Sequence, residues 1–421
     1  MEVVNLEPRS IEAYVESAGQ SAIAELRRLA APLRGIRVLH INATPHGGGV
    51  AEILHSAIPL LRDLGLEATW ETITAEPDFF ALTKAIHNGL QGAEFELSIG
   101  DVNLYDSWQH RNADSLTGAY DLIVVHDPQP LGLLSAGGPR HARWIWRLHV
   151  DSSRPTPAAW SFLRPFLAGY DALVFTMPEF IPPDVDGTPI QIIAPAIDPL
   201  TPKNLPIPHG RALAILADLG LDPGRPLIAQ VSRLDPWKDP TGVIDAFRLV
   251  RQFVPGLQLA LLGAIAAQDD PEAIGIAQLV RRHASGDPDI HILVDPARVG
   301  SEEVAAVQQN AQVILQKSLR EGFGLTVAEA LWKATPVVGG RTGGIPLQLR
   351  DGVGGFLVSS VPEAADRTRW LLEHPPEART FAVRGRDHVR ENFLITRLLA
   401  DELRLYADVL GQRTPATVAA A

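Results

Sequence analysis

The residues whose spacing carries the most chemistry are Glu321 and Glu329, the two ends of the segment EGFGLTVAE. The apolar run QVILQKS (312–318) reads as a strand that feeds this segment, and the segment itself as a turn that opens a helix. Gly322 and Gly324 permit a tight backbone and close approach of a ligand. Phe323, Leu325 and Thr326 complete the turn, and free N–H groups at the start of the helix favour an anion there. Glu329, on the first turns of the helix, can accept hydrogen bonds from vicinal hydroxyls. Glu321, at the strand end, can hold another polyol. Two carboxylates bracketing an anion-binding turn suit a ligand built of sugar, diphosphate and ribose. An ordinary strand–turn–helix with solvated glutamates has the same spacing, so spacing alone leaves both readings open.

Four other segments add weight. In VSRLDPWKD (231–239), Arg233 and Lys238 follow a strand at the end where open α/β sheets bind ligands, and both could reach a diphosphate. In TPHGGGVAE (44–52), a glycine run including Gly48 and Gly49 sits between a strand and a helix. It is neither the G-x-G-x-x-G fingerprint nor a P-loop. In RLHVDSS (147–153), His149 and Asp151 put polar groups at a strand end. In TKAIHNGLQG (83–92), Lys84, His87, Asn88 and Gln91 recur at helical spacing and share one face. Such a face is usually solvated, but amide and imidazole groups without glutamate also suit a neutral polyol.

These segments need strand ends to carry them, and the chain supplies two series. The first runs through IRVLHINA (36–43), DLIVVHD (121–127), WIWRLHV (144–150), ALVFTM (172–177) and IQIIA (190–194). The second runs through PLIAQVS (226–232), LQLALLG (257–263), IHILV (290–294), QVILQKS, TPVVGG (335–340) and GFLV (355–358). Apolar strands separated by helical stretches imply parallel sheets covered on both faces. The proline-rich stretch at 194–210 reads as a linker. The expected organisation is a helical cap over 1–35, Rossmann-like domains over 36–200 and 201–390, and a helix over 391–421 packing back on the first domain. Residues 10–33 read as an amphipathic helix and 376–411 as helical, with the C-terminal helix over about 393–410.

Bulk composition narrows the function. A chain of 421 residues with 46% hydrophobic and 20% charged residues is globular and long enough for two domains. The absence of Cys removes thiol nucleophiles and Cys-ligated metals and fits a cytoplasmic protein. A net charge of −12 argues against nucleic acid as partner. No signal peptide and no membrane-spanning run is expected, and no carboxylate cluster suggests a metal cage.

Together the segments resemble the retaining glycosyltransferases of family four, whose fold is GT-B: α/β, two facing Rossmann-like domains with a central cleft. Glu321 and Glu329 match the E-x7-E motif, and Arg233 and Lys238 the Arg/Lys pair. GGGVAE, HNGLQG, VVHDPQPLGL, WRLHVD and IDPLTPKN narrow the resemblance to the trehalose-making members. APAID departs from that pattern, which has two prolines before the Ile. The resemblance implies reversible transfer of glucose from NDP-glucose (ADP-, UDP- or GDP-) to free glucose, giving α,α-trehalose with retention. It implies His149, Arg233, Lys238 and Glu321 as catalytic residues. Gly48, Gly49, Gly322, Phe323, Gly324, Leu325, Thr326 and Glu329 would bind the donor, and Lys84, His87, Asn88, Gln91 and Asp151 the acceptor. It implies no required cofactor, with Mg2+ at most stimulatory. The partners would be NDP-glucose and glucose or trehalose, with no membrane and with a homodimer as the open option for assembly. A trehalose phosphorylase of the same fold, another family-four NDP-sugar transferase and a non-catalytic sugar-binding regulator are the alternatives.

Overall fold

A computed structural model describes residues 1–185, 187–263 and 271–411. The chain divides into two compact units, one of residues 1–196 with 395–421 and one of residues 197–394. Each is built on a seven-stranded sheet.

The first unit contains β1 (Glu2–Val3), β2 (Arg37–Asn42), β3 (Glu67–Thr72), β4 (Leu122–His126), β5 (Arg143–Leu148), β6 (Ala172–Phe175) and β7 (Ile190–Ile192). Their order is β1-β3-β2-β4-β5-β6-β7, parallel throughout except where β1 pairs antiparallel with β3. β4 is buried along its whole length, which is why it reads as an unbroken apolar run. β3 was not foreseen. Its sequence EATWET alternates exposed and buried residues, the pattern of a strand near a sheet edge, and lacks the aliphatic run that marks its neighbours.

The second unit contains β8 (Leu227–Val231), β9 (Gln258–Leu262), β10 (Ile290–Leu293), β11 (Val313–Gln316), β12 (Val337–Gly340), β13 (Arg350–Asp351) and β14 (Gly354–Val358). Their order is β10-β9-β8-β11-β12-β14-β13, all parallel. β8 is fully buried and lies beside β11, so the loops that follow these two strands are neighbours.

One helical expectation needs correction. The stretch over 10–33 is not one helix: Gly19 adopts φ +88° and separates Val15–Ala18 from Gln20–Ala30. An L side chain rarely takes that conformation, so the glycine sets the break. The helical stretch over 376–411 comprises two helices, Pro375–Asn392 in the second unit and Ile395–Val409 in the first, the latter falling at the expected C-terminal helix. The polypeptide changes unit between them, and the Phe393 carbonyl there accepts from the Ile197 amide. Residues 412–421 of the expected last helix lie outside the described residues. Among the described residues no helix is long and apolar enough to cross a membrane.

Candidate active site

In the first unit Gly48 and Gly49 follow β2, and His149 and Asp151 follow β5, with β4 between these strands. After β2 the chain turns through Gly47 and Gly48, at φ +76° and +97°, and enters the helix Gly49–Asp63. The Thr44 hydroxyl donates to the His46 carbonyl at 2.8 Å, and the Asn42 amide to the Thr44 carbonyl at 2.8 Å, which shapes that loop. After β4, Asp127 sits at φ +63° and accepts the His149 backbone N–H at 2.8 Å. Its own N–H donates to the Arg147 carbonyl. The backbone at His149 is therefore held from two sides by the β4 turn. Burial pushes the Asp127 carboxyl up to about 7, against the opposing pull of the His149 amide and Arg147.

Asp151 is buried two residues further on, where it accepts from the Ser153 amide and hydroxyl. The same loop reaches the helix Pro77–Leu90 through the Thr156 N–H, which donates to the Gly89 carbonyl at 2.9 Å. Lys84, His87 and Asn88 are half-buried on that helix, and Gln91, its C-cap, is buried. The face is thus not the solvated surface that helical spacing alone suggests.

In the second unit, Lys238 ends a short turn after β8 and Glu321 lies five residues past the end of β11. Lys238 Nζ is 2.7 Å from Glu321 Oε1, with side chains 18% and 8% exposed. The Ser318 hydroxyl donates to Glu321 Oε2 at 3.1 Å. The Trp237 carbonyl accepts the Leu319 N–H at 2.7 Å, so the two loops are tied by backbone as well. Gly324, at φ +83°, is the N-cap of the helix Leu325–Trp332. Gly343 lies so close that a Cβ there would sit 1.6 Å from the Glu321 carbonyl oxygen, which no side chain permits. Gly322 lies within this packed turn. Phe323 is buried with its ring 5.4 Å from that of Phe393, and its carbonyl accepts from the Gln348 amide. Its side chain serves the core. Arg233 is the more exposed cation, with a 54% accessible side chain.

Glu329 is fully buried, with Lys203 Nζ 2.6 Å from Oε1. Burial raises its carboxyl pKa, but Lys203 and Lys333 more than offset that and hold it below the usual range. Lys203 comes from the stretch read as a linker. Residues 198–204 instead form a turn in which the Asn204 amide donates to the Asp198 carbonyl at 2.9 Å. Nothing in TPKN predicts a buried ion pair across 126 positions, because the partner is brought by the fold.

The sequence reading also missed a row of histidines in the first unit. His40 of β2 and His126 of β4 are fully buried, and each was read as one letter in an apolar strand. His40 Nδ1 is 3.0 Å from His126 Nε2, and His126 Nδ1 is 3.0 Å from His149 Nε2. The Tyr406 hydroxyl lies 3.2 Å from His40 Nε2. The rings lie in line; among the described residues no group of three such side chains converges on a point that could hold a metal. The available signal was an imidazole inside a buried strand, twice.

Burial, with Arg147 adding to it, lowers His40 from 6.5 to about 3. A histidine depressed in this way contributes stability that is present above 6.5 and lost as pH falls through that window toward 3. Its contribution changes by at most about 1.4 kcal/mol per pH unit. Asp127 works in the opposite sense, since its raised pKa gives stability below 3.8 that is lost as pH rises through 7. Comparison with a variant isolates the histidine. His40→Gln should lose stability less steeply than wild type between pH 6.5 and 4.5, by about 1.4 kcal/mol per pH unit. Parallel pH profiles in chemical denaturation would mean that His40 titrates normally in the folded protein.

Residues 40–182 match the family described as trehalose synthase, N-terminal domain, and residues 214–388 match glycosyl transferases group 1. A trehalose synthase of Rubrobacter xylanophilus is 47% identical over 97% of this chain and 99% of its own length. The chain belongs to the trehalose synthase family of glycosyltransferases. Family resemblance extends more weakly to a trehalose phosphorylase of Pleurotus pulmonarius, 28% identical over 83% of this chain and 54% of that protein. An α,α-trehalose-phosphate synthase (UDP-forming) of Burkholderia xenovorans superposes with a TM-score of 0.71 at 17% identity, covering 89% of this chain and 99% of that one. That likeness is one of fold, GT-B, and the family's two α/β sheets are those described above.

Proposed function

We propose that this glycosyltransferase moves glucose, with retention, from a nucleoside diphosphate glucose to free glucose and forms α,α-trehalose reversibly. The observation that carries the reading is the Lys238–Glu321 contact beside Gly324 at the opening of the helix Leu325–Trp332. It sets a cation for a departing diphosphate beside a carboxylate for sugar hydroxyls, next to helix N–H groups that favour the same anion. In this reading Arg233 supplies a second charge to the diphosphate, Gly48 and Gly49 are assigned to donor binding, and His149 is assigned to the catalytic step through its backbone carbonyl. Lys84, His87, Asn88, Gln91 and Asp151 hold the acceptor. No step calls for a protein nucleophile or a metal.

A neutral acceptor is in keeping with the engagement of two of the three arginines near these segments, Arg147 and Arg111, while Arg154 is exposed. Arg147, two residues before His149, is buried and paired with Glu402, so its charge is already taken. Arg111 lies over the Trp108 ring at 4.7 Å. Incubation with glucose and each of ADP-, UDP- and GDP-glucose should yield a product with one anomeric proton signal, since the two halves of trehalose are equivalent. A phosphorylated product or two anomeric signals overturns the acceptor assignment. Turnover only with glucose 1-phosphate, or with trehalose and phosphate, would support the phosphorylase reading instead.

Glu329 is assigned to the nucleotide ribose, a role in which ribose hydroxyls would share the buried carboxylate with Lys203. Glu329→Gln should weaken NDP binding in calorimetry, whereas Glu321→Gln should leave free NDP binding nearly intact. Equal, wild-type NDP affinity in both variants removes the ribose role.

A further inference from the structure

The buried histidines ask for an explanation that packing alone does not give. Three neighbouring strands, β2, β4 and β5 with its following residue, each place one imidazole in the same row. Both successive ring pairs have centroids 5.3 Å apart and planes inclined by 22°. His40 and His126 are fully buried, and only His149, at the strand end, is partly open to solvent. The inner end of the row closes on Tyr406, from the helix Ile395–Val409.

Resting on the reading of His149 as an active-site residue, we propose that His126, His40, Tyr406 and Glu402 form a one-directional hydrogen-bond relay that holds the His149 ring as the Nε2–H tautomer. Its Nδ1 is then the hydrogen-bond acceptor that a sugar hydroxyl meets. A neutral imidazole has one donor and one acceptor nitrogen, so three in line can be ordered in only two senses. The group at the closed end chooses between them. Glu402 lies one helical turn before Tyr406 on the same face of the helix Ile395–Val409, and burial, with Glu402 adding to it, raises the Tyr406 hydroxyl. Glu402 Oε1 is taken by Arg147, and Oε2 is buried with no hydrogen-bond partner, an unsatisfied acceptor to which the phenolic proton can turn. A carboxylate can only accept, so the single phenolic proton goes to Glu402. The Tyr406 oxygen then accepts from His40 Nε2–H, His40 Nδ1 from His126 Nε2–H, and His126 Nδ1 from His149 Nε2–H. Arg147 opposes protonation of all three rings, Asp127 accepts the His149 backbone N–H, and Arg397 and Asp401 act on Glu402 at the closed end.

The relay makes Tyr406 and Glu402 positioning residues, although they lie more than 250 positions from His149 in the chain. The test is nitrogen-15 NMR of the full chain labelled at histidine, reading the two-bond nitrogen–proton pattern of each ring near pH 7.5, with His149→Gln used to assign the signal. The expected result is His149 protonated at Nε2 and bare at Nδ1. Tyr406→Phe removes the acceptor for His40 Nε2–H. It should convert His149 to a mixture of tautomers and lower kcat on the order of tenfold, with KM for the nucleotide sugar changed less than twofold. A wild-type His149 protonated at Nδ1 overturns the relay even if Tyr406→Phe does not fold, and so does an unaltered His149 spectrum in folded Tyr406→Phe. The tautomer is read without substrate. A correct tautomer in a protein that makes no trehalose would therefore sink the proposed function and leave the relay, and the converse would sink the relay alone.

Discussion

Replacing Lys238 with Ala is expected to lower kcat/KM on the order of a hundredfold. Two losses combine. A charge-assisted contact to the leaving diphosphate contributes about 1.5–3 kcal/mol, and each 1.4 kcal/mol is a factor of ten. The variant also leaves Glu321, now 2.7 Å from the ammonium, without its counter-charge at the place where phosphate oxygens gather negative charge. Arg233→Ala should cost less, about tenfold, because its side chain is half exposed and water screens its charge. Initial rates over a range of donor concentrations measure both. Activity within twofold of wild type in both variants would remove the pair from the donor site.

Arg147→Met is the substitution expected to cost the most stability. Arg147 and Glu402 have side chains only 4% and 5% exposed, and they join β5 to the helix Ile395–Val409 within one unit. The Arg147 guanidinium also donates to the Ile193 carbonyl. Removing one member of such a pair strands a carboxylate in the interior, which costs about 3–5 kcal/mol. Burial already raises the Glu402 carboxyl, with Arg147 the main opposing pull. Without the arginine the group should take up a proton, and the destabilisation should shrink as pH is lowered toward the usual carboxylate range. The double variant Arg147→Met/Glu402→Met should recover much of the loss, because two apolar side chains leave no charge to compensate. Urea midpoints of the three variants test this. A single variant as stable as wild type would show that the pair is open to water.

Much of the architecture was legible from local pattern. Strands buried on both faces must be apolar along their length, so β2, β4, β5, β8 and β11 stood out as runs. Glycines at Gly48 and Gly324 marked strand-to-helix turns because only a residue without Cβ takes those dihedrals freely. Lys238 and Glu321 were legible too, since polar residues at the ends of parallel strands fall on the ligand-binding edge of the sheet. β3 escaped because a strand near an edge alternates, and a single Trp among charged residues gives little signal.

What the sequence by itself determined, then, is where backbone conformation and strand burial force the residue type: the two sheets, their turns, and the polar groups just past the strand ends. What only the tertiary structure decided is pairing between residues remote in the chain. Lys203 with Glu329, Arg147 with Glu402 and the row from Tyr406 through His40 and His126 to His149 are of this kind. The physical reason is that a buried polar group needs a partner, but the partner's position follows from which elements the fold packs together. Sequence spacing reports the period of one helix or one strand; it does not report which strand lies beside it.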